Sequence, residues 1–405
     1  MDALLECACG LIAIESVGGN ESPAQERVAE VMRFAGMDVD VWELDLDALC
    51  RHRAYSAEIE RDHAVGVVGR TGSVNGPSLI LNGHVDVVPA GNLDSWSVPP
   101  WQGTIADGRV YGRGSADMKG ALYCALFAVK AIRDAGVTLD GSVMLQSVVG
   151  EEDGGVGTLA AIERGYTADA AIVMEPTELM IAPAQAGAVN FRVTIPGRAA
   201  HGALRGEGVD PIDKLFPVYT ALQEFERRRN ENVEEPLFGA YEIPYPLSVG
   251  TLRAGNWPSS VAESLTLEGR MGIGIDEDPV QVQGDFAGVV AEAARADAWL
   301  REHPPMVEWW GGRFEPAAIP VDHPIVTTVS ESYNRVTGDE AVVRGMPYGA
   351  DMRLLVNEVN TPTVLFGPGD VRRAHAPDEF VPISDLDVAV RTLALTVLRF
   401  CGIQS

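Results

Sequence analysis

Seven side chains at separated positions are of the types that bind divalent metal and move protons: His84, Asp86, Asp117, Glu151, Glu152, Glu175 and His375. Four of them close a short apolar run. Leu79-Ile-Leu-Asn82 leads to Gly83-His84-Val85-Asp86, Ser142 to Val149 leads to Gly150-Glu151-Glu152, and Ala170 to Met174 leads to Glu175-Pro176. Short runs rich in β-branched residues and bounded by Gly or Pro read as buried strands of a parallel sheet. In open α/β sheets ligands lie outside the carboxyl ends of such strands. Three strand ends therefore bring His84, Glu151, Glu152 and Glu175 to one rim, as a cluster of imidazole and carboxylate suited to a divalent cation.

The other three residues extend that cluster. Asp86 stands two residues beyond His84 and can supply the acceptor that a ligating imidazole needs for its second N–H. Asp117 lies in Gly112-Arg-Gly-Ser-Ala-Asp-Met-Lys-Gly120, just before a helical pattern. A Gly-rich stretch can cradle phosphate, but the Gly-Lys-Ser/Thr ending of a P-loop is missing here and after Gly154-Gly-Val-Gly-Thr158. His375 follows Leu365-Phe-Gly-Pro-Gly-Asp370, a strand ending in a glycine loop. Alone, each histidine would read as structural; the acids around them change the balance.

The elements that position these groups alternate. Residues 21–36 carry a Ser cap, a Pro in the first turn and a closing Gly, which predicts an amphipathic helix. Residues 119–136 predict another. After Gln185-Ala-Gly187 the pattern changes to the alternating strands Val189–Ile195 and Ser264–Met271, with helices near 210–229 and 279–301. Buried elements return as a helix over 324–336, a core strand over 362–366 and a closing helix over 383–400. The expected fold class is α/β with a mainly parallel central sheet, interrupted by a smaller α+β domain. The expected boundaries are 1–186 and 318–405 for the α/β domain and 187–317 for the insertion.

Composition bounds the partners. A length of 405 residues favours two domains, and 46% hydrophobic with 22% charged residues is ordinary for a globular protein. A net charge of −27 argues against nucleic acid or an anionic membrane. Lys119, Lys130 and Lys214 are the only lysines, a skew with no catalytic meaning. Cys7, Cys9, Cys50, Cys124 and Cys401 show neither disulfide nor zinc-finger spacing. No run approaches the roughly 18 apolar residues of a membrane helix, and the N-terminus lacks a basic leader. The expected location is the cytoplasm.

Taken in order, Gly83-His-Val-Asp-Val-Val-Pro89, Gly112 to Gly120, Gly150-Glu-Glu152, Glu175-Pro-Thr177 and Ala374-His-Ala-Pro377 resemble the M20 metallopeptidase/deacylase family. That family includes acetylornithine deacetylase, succinyl-diaminopimelate desuccinylase, aminoacylase and glutamate carboxypeptidase. The resemblance implies that Asp117 bridges two divalent ions, Zn2+ with Co2+ or Mn2+ as substitutes. His84 and Glu175 would complete one ion's shell, and Glu152 and His375 the other's. Glu151 would be the general base and Asp86 the partner of His84. Two such ions, about 3.5–4 Å apart, polarise a carbonyl and activate water. His201, in Pro196-Gly-Arg-Ala-Ala-His-Gly202, would enter a partner subunit's site and donate to the oxyanion, which implies a homodimer whose inserted domain is a dimerisation lid.

One segment departs from the family. Relatives carry Asn-x-x-Pro before a strand ending Asp-x-Arg, whose Arg binds a substrate carboxylate. Here Ser259, Ala262 and Gly272 occupy those places, and Arg270 lies two residues earlier on the same strand face. Arg270 is the candidate substrate contact, and carboxylate recognition is in question. His52, His63, His303 and His323 have no acid motif, the tryptophans 257, 309 and 310 read as packing, and Asp351 as a supporting residue. The expected activity is hydrolysis of an N-acylated amino acid or amine, as a deacetylase or desuccinylase first, a dipeptidase or carboxypeptidase second, and a deformylase or carbamoyl hydrolase third. A non-catalytic metal-binding dimer and a two-metal phosphoesterase are the readings of other classes.

Overall fold

The computed structural model describes residues 1–231 and 233–404. The chain divides into two compact units, Met1–Gln185 with Ala317–Met346 and Ala350–Ser405, and Ala186–Pro316 with Pro347–Gly349.

The first unit is built on a six-stranded sheet in the order Asp38–Glu43, Val65–Gly72, Ser142–Val148, Ser78–His84, Ala170–Val173 and Thr363–Leu365. The last four run parallel, and the first two close one side antiparallel. Leu79, Ile80, Leu81, Val143, Leu145, Ala171 and Ile172 are fully enclosed, as expected of strands covered on both faces. Each Val, Leu or Ile among them contributes about 1.5–3 kcal/mol when buried. The register sets the rim: Ser78 pairs with Ser142 and His84 with Val148, while Asn82 pairs with Val173. The residues that follow Val148 and Val173 therefore leave the sheet level with His84.

Helices Gly120–Asp134 and Ile383–Cys401 pack on each other and on Ser78–His84, and Ser22–Phe34 packs on Val65–Gly72. Ser22 is the first helical residue rather than the cap. The cap position is Glu21, which does not cap the helix with its side chain but turns it to Arg61 and the Gly19 N–H.

The second unit is a four-stranded antiparallel sheet, Leu247–Ala254, Ser264–Ile273, Gly187–Pro196 and Met306–Phe314. Helices Pro211–Asn230 and Pro279–Arg295 cover a core that includes Phe191, Leu222, Phe225, Leu267 and Phe286. Asp210 and Asp278 cap these helices by accepting from Ile212 and Val280 N–H, each worth about 1 kcal/mol. The expected helix over 279–301 is two helices, because Asp297 caps a second one, Ala298–Glu302. Trp309 packs edge-on to Phe286 at 5.3 Å, whereas Trp257 is 66% exposed.

Candidate metal centre

His84 ends its strand almost fully buried, and the acids of three other segments surround it. Its Nε2 lies 3.1 Å from Asp117 Oδ1, 3.9 Å from Glu151 Oε2 and 3.9 Å from Glu175 Oε1. The other oxygen of Asp117, Oδ2, lies 3.5 Å from His375 Nε2, which is also 3.0 Å from Glu152 Oε2. One carboxylate thus turns one oxygen to each of two imidazoles. His84, Asp117 and Glu152 can offer ligand atoms to one point, and so can His84, Glu151 and Glu175.

The donor set fits a pair of divalent cations. Four carboxylates and two imidazoles converge, and Glu175 Oε1 is buried with no hydrogen-bond donor facing it. Burying such an oxygen unpaired is costly, and a cation would satisfy it. His84, Glu151 and Glu175 are closed off, while His375 is 52% exposed, which marks the side open to solvent.

Asp86 meets His84 in two ways. The imidazole Nδ1–H donates to the Asp86 main-chain carbonyl at 2.9 Å, leaving the carboxylate 3.7 Å away. That donation leaves Nε2 as the free lone pair facing the cluster. The Asp86 carboxylate instead accepts from Glu152 N–H at 3.0 Å, tying the two strand ends together.

Asp117 is held from beneath by Glu379, whose Oε1 accepts from the N–H groups of Ala116 and Asp117 at 3.0 and 3.2 Å. Arg113 completes the support with an ion pair to Glu379 at 2.5 Å; both side chains are buried. Burial pushes the Glu379 carboxyl up to about 7, with Arg113 acting against that shift. His375 sits in the left-handed backbone region at φ +58°, a conformation that costs about 1–3 kcal/mol and concentrates at functional sites.

Neither Glu379 nor Arg113 was legible as a site residue. The one available signal was that Glu379 stands four residues beyond His375. Asp351 is fully buried next to the N-terminal turn of helix Val156–Glu163, where a Cβ on Gly155 would lie 2.3 Å from its Oδ1. His201 and Arg270 belong to the second unit. His201 is exposed on a two-residue strand paired with Ser260–Val261, and its Nδ1 accepts from Ala203 N–H at 3.1 Å. Arg270 is half-buried between Asn190 and Ser248, with no carboxylate in ion-pair range among the described residues.

The clustered groups shift one another's protonation. Burial opposes charge on His84, but Asp117, Asp86, Glu151 and Glu175 outweigh it and lift its pKa well above the ordinary value. Burial likewise opposes charge on His375, and Glu152 and Asp117 raise it to about 11. Burial and the neighbouring Glu175 hold Glu151 well above the usual carboxylate range. A ligand imidazole must be neutral, so cation uptake expels protons. Zn2+ affinity is therefore expected to weaken as pH falls from about 8 to about 6. Calorimetry in two buffers of different ionisation enthalpy should show net proton release; uptake without proton release would contradict the arrangement.

Comparison with known proteins places these features. The profile of peptidase family M20/M25/M40 matches residues 80–399. An N-formyl-4-amino-5-aminomethyl-2-methylpyrimidine deformylase of Halalkalibacterium halodurans is 31% identical over 412 residues, covering 95% of this chain and 90% of the relative. A probable succinyl-diaminopimelate desuccinylase of Staphylococcus aureus is 26% identical over 357 residues, covering 82% and 87%. Among solved structures, an M20 family metallo-carboxypeptidase from Sulfolobus solfataricus aligns with a TM-score of 0.78 at 17% identity, covering 98% of this chain and 99% of that one.

Proposed function

This chain belongs to peptidase family M20/M25/M40, and on that basis we propose that it removes a short acyl group, formyl before acetyl or succinyl, from an aminomethyl group carried by an aromatic ring. It is a metal-dependent hydrolase of linear amides. The ion pair is read as zinc, with cobalt or manganese able to replace it. The observation that carries the catalytic reading is Asp117, with one oxygen toward each imidazole and Glu151 beside them.

Two divalent cations would supply Lewis acidity, polarising the amide carbonyl and lowering the pKa of water. His84, Asp117 and Glu175 would hold one, and Asp117, Glu152 and His375 the other. The chain's own proton carrier is Glu151: it takes a proton from the attacking water, then gives it to the leaving nitrogen as the C–N bond breaks. His201 is read as the oxyanion donor. Because its Nδ1 accepts from Ala203, the ring proton is on Nε2, which is left free to donate.

The substrate side follows from the departure in the inserted segment. Gly272 stands where relatives carry the Arg that binds a substrate carboxylate. The named substrate of the 31% identical relative carries an aminomethylpyrimidine and no carboxylate, which supports raising the deformylase reading above the other two. Arg270 remains available to a polar group of the substrate. Excluding one methyl group from a fitted pocket is worth about 10–200-fold. The zinc-loaded protein is therefore expected to prefer an N-formyl aminomethylpyrimidine to its N-acetyl analogue by about that factor. A panel of N-formyl, N-acetyl, N-succinyl, N-carbamoyl and dipeptide compounds tests this; a faster rate on N-succinyl-diaminopimelate or a dipeptide would overturn it.

Support for a homodimer comes from the second unit. Its sheet has an edge strand, Leu247–Ala254, and helix Pro211–Asn230 exposes Ile212, Phe216 and Tyr219 at helical spacing. An exposed apolar stripe beside an open strand edge suits pairing with a second copy. The Phe216→Glu protein is expected to sediment as a monomer where the wild type sediments as a dimer; equal masses would refute this interface.

A further inference from the structure

Glu151 and Glu152 sit on the turn beyond the Ser142–Val148 strand, where no sheet partner holds them. Within the turn, Gly154 N–H donates to Glu151 O at 3.0 Å and Gly155 N–H to Gly150 O at 2.6 Å. Its outer side is gripped through Asp153. The Asp153 main-chain carbonyl accepts from Glu58 N–H at 2.9 Å, and its Oδ2 from Ile59 N–H at 2.8 Å. Arg61 then forks onto the same carboxylate, Nη1 to Oδ2 and Nη2 to Oδ1, both at 2.8 Å.

The far side of the guanidinium is anchored as well. Arg61 Nε and Nη2 donate to Glu21 Oε1 at 3.2 and 2.8 Å, and Gly19 N–H donates to that oxygen at 3.0 Å. Side-chain exposure is 2% for Arg61, 2% for Glu21 and 5% for Asp153. The packing is tight enough to dictate glycine: a Cβ on Gly154 would lie 2.6 Å from Ser56 O, and one on Gly150 3.0 Å from Arg61 Nη2. Both glycines also have positive φ. Segment 56–61 is thus a splint laid along the turn, and the Arg61 fork is its rigid part.

We propose that Arg61 is a positioning residue for Glu151 and Glu152, acting through Asp153 and braced by Glu21. The inference rests on the proposed roles of Glu151 as proton carrier and Glu152 as ligand. Lysine keeps the charge but not the planar fork, so Arg61→Lys changes geometry more than electrostatics. Supporting groups of this kind alter metal affinity or activity by about 10–100-fold.

Arg61→Lys and Asp153→Asn are each expected to lower kcat by about 10–100-fold with KM little changed, and to weaken Zn2+ binding in chelator competition. An Arg61→Lys/Asp153→Asn double variant is expected to be no slower than the worse single variant, because both act through one contact. Each variant is assayed well below its own Tm. If the losses vanish under that condition, or if both conservative variants keep wild-type kcat and zinc affinity, the proposal falls. The zinc measurement needs no substrate, so a failed acyl panel would overturn the substrate reading and leave this test standing.

Discussion

Glu151→Gln is expected to keep both metal ions and to lose about 10²–10⁴-fold in kcat. The substitution retains shape and removes the one function proposed for the position, that of a carboxylate able to take and return a proton. Geometry alone does not mark Glu151 out, since it and Glu175 stand equally 3.9 Å from His84 Nε2. Metal content separates them. Glu151→Gln is expected to bind two equivalents of zinc, whereas Glu175→Gln is expected to lose one. KM should change little, because the proton is moved only as the reaction proceeds. Two equivalents of zinc together with full activity in Glu151→Gln would sink the proposed role; loss of one ion would make Glu151 a ligand.

The Asp117→Asn protein is expected to lose both ions together, and with them all measurable hydrolysis. The two carboxylate oxygens face different imidazoles, at 3.1 and 3.5 Å, so this one side chain is placed to serve both positions. An amide offers one oxygen and an NH2 group, and the nitrogen is a donor that repels a cation. The substitution also removes one of the negative charges that would attract the two cations. Zinc titration should show weak, single-phase binding in place of two occupied sites. Retention of one tight site would show that Asp117 belongs to a single ion. Glu379 backs Asp117 through two N–H groups, and its distance from any solvent makes it part of that same support.

The fold class and the family could be read before any coordinates because both are written in local patterns. Short apolar runs bounded by Gly or Pro, such as Leu79–Leu81 and Ala170–Val173, read as strands buried on both faces, and such strands lie in a parallel sheet. A parallel sheet sends its chemistry to one edge, which is why His84, the Glu151-Glu152 pair and Glu175 were expected on one rim. The helix start at Ser22 was misread in one respect, because a Glu at the cap position gives no sign that it serves Arg61 instead.

Sequence by itself determined which residue types stand at the ends of which strands, since periodicity and chain breaks are properties of neighbours along the chain. Tertiary structure alone decided that Asp117 turns one oxygen to His84 and the other to His375, 258 positions further on. It alone joined Glu21, Arg61 and Asp153, and set Glu379 under Asp117. Those contacts depend on the direction in which a side chain leaves a turn and on the packing of segments distant in the chain. Distances of this kind are resolved to fractions of an ångström by packing, and no spacing in a linear sequence encodes them.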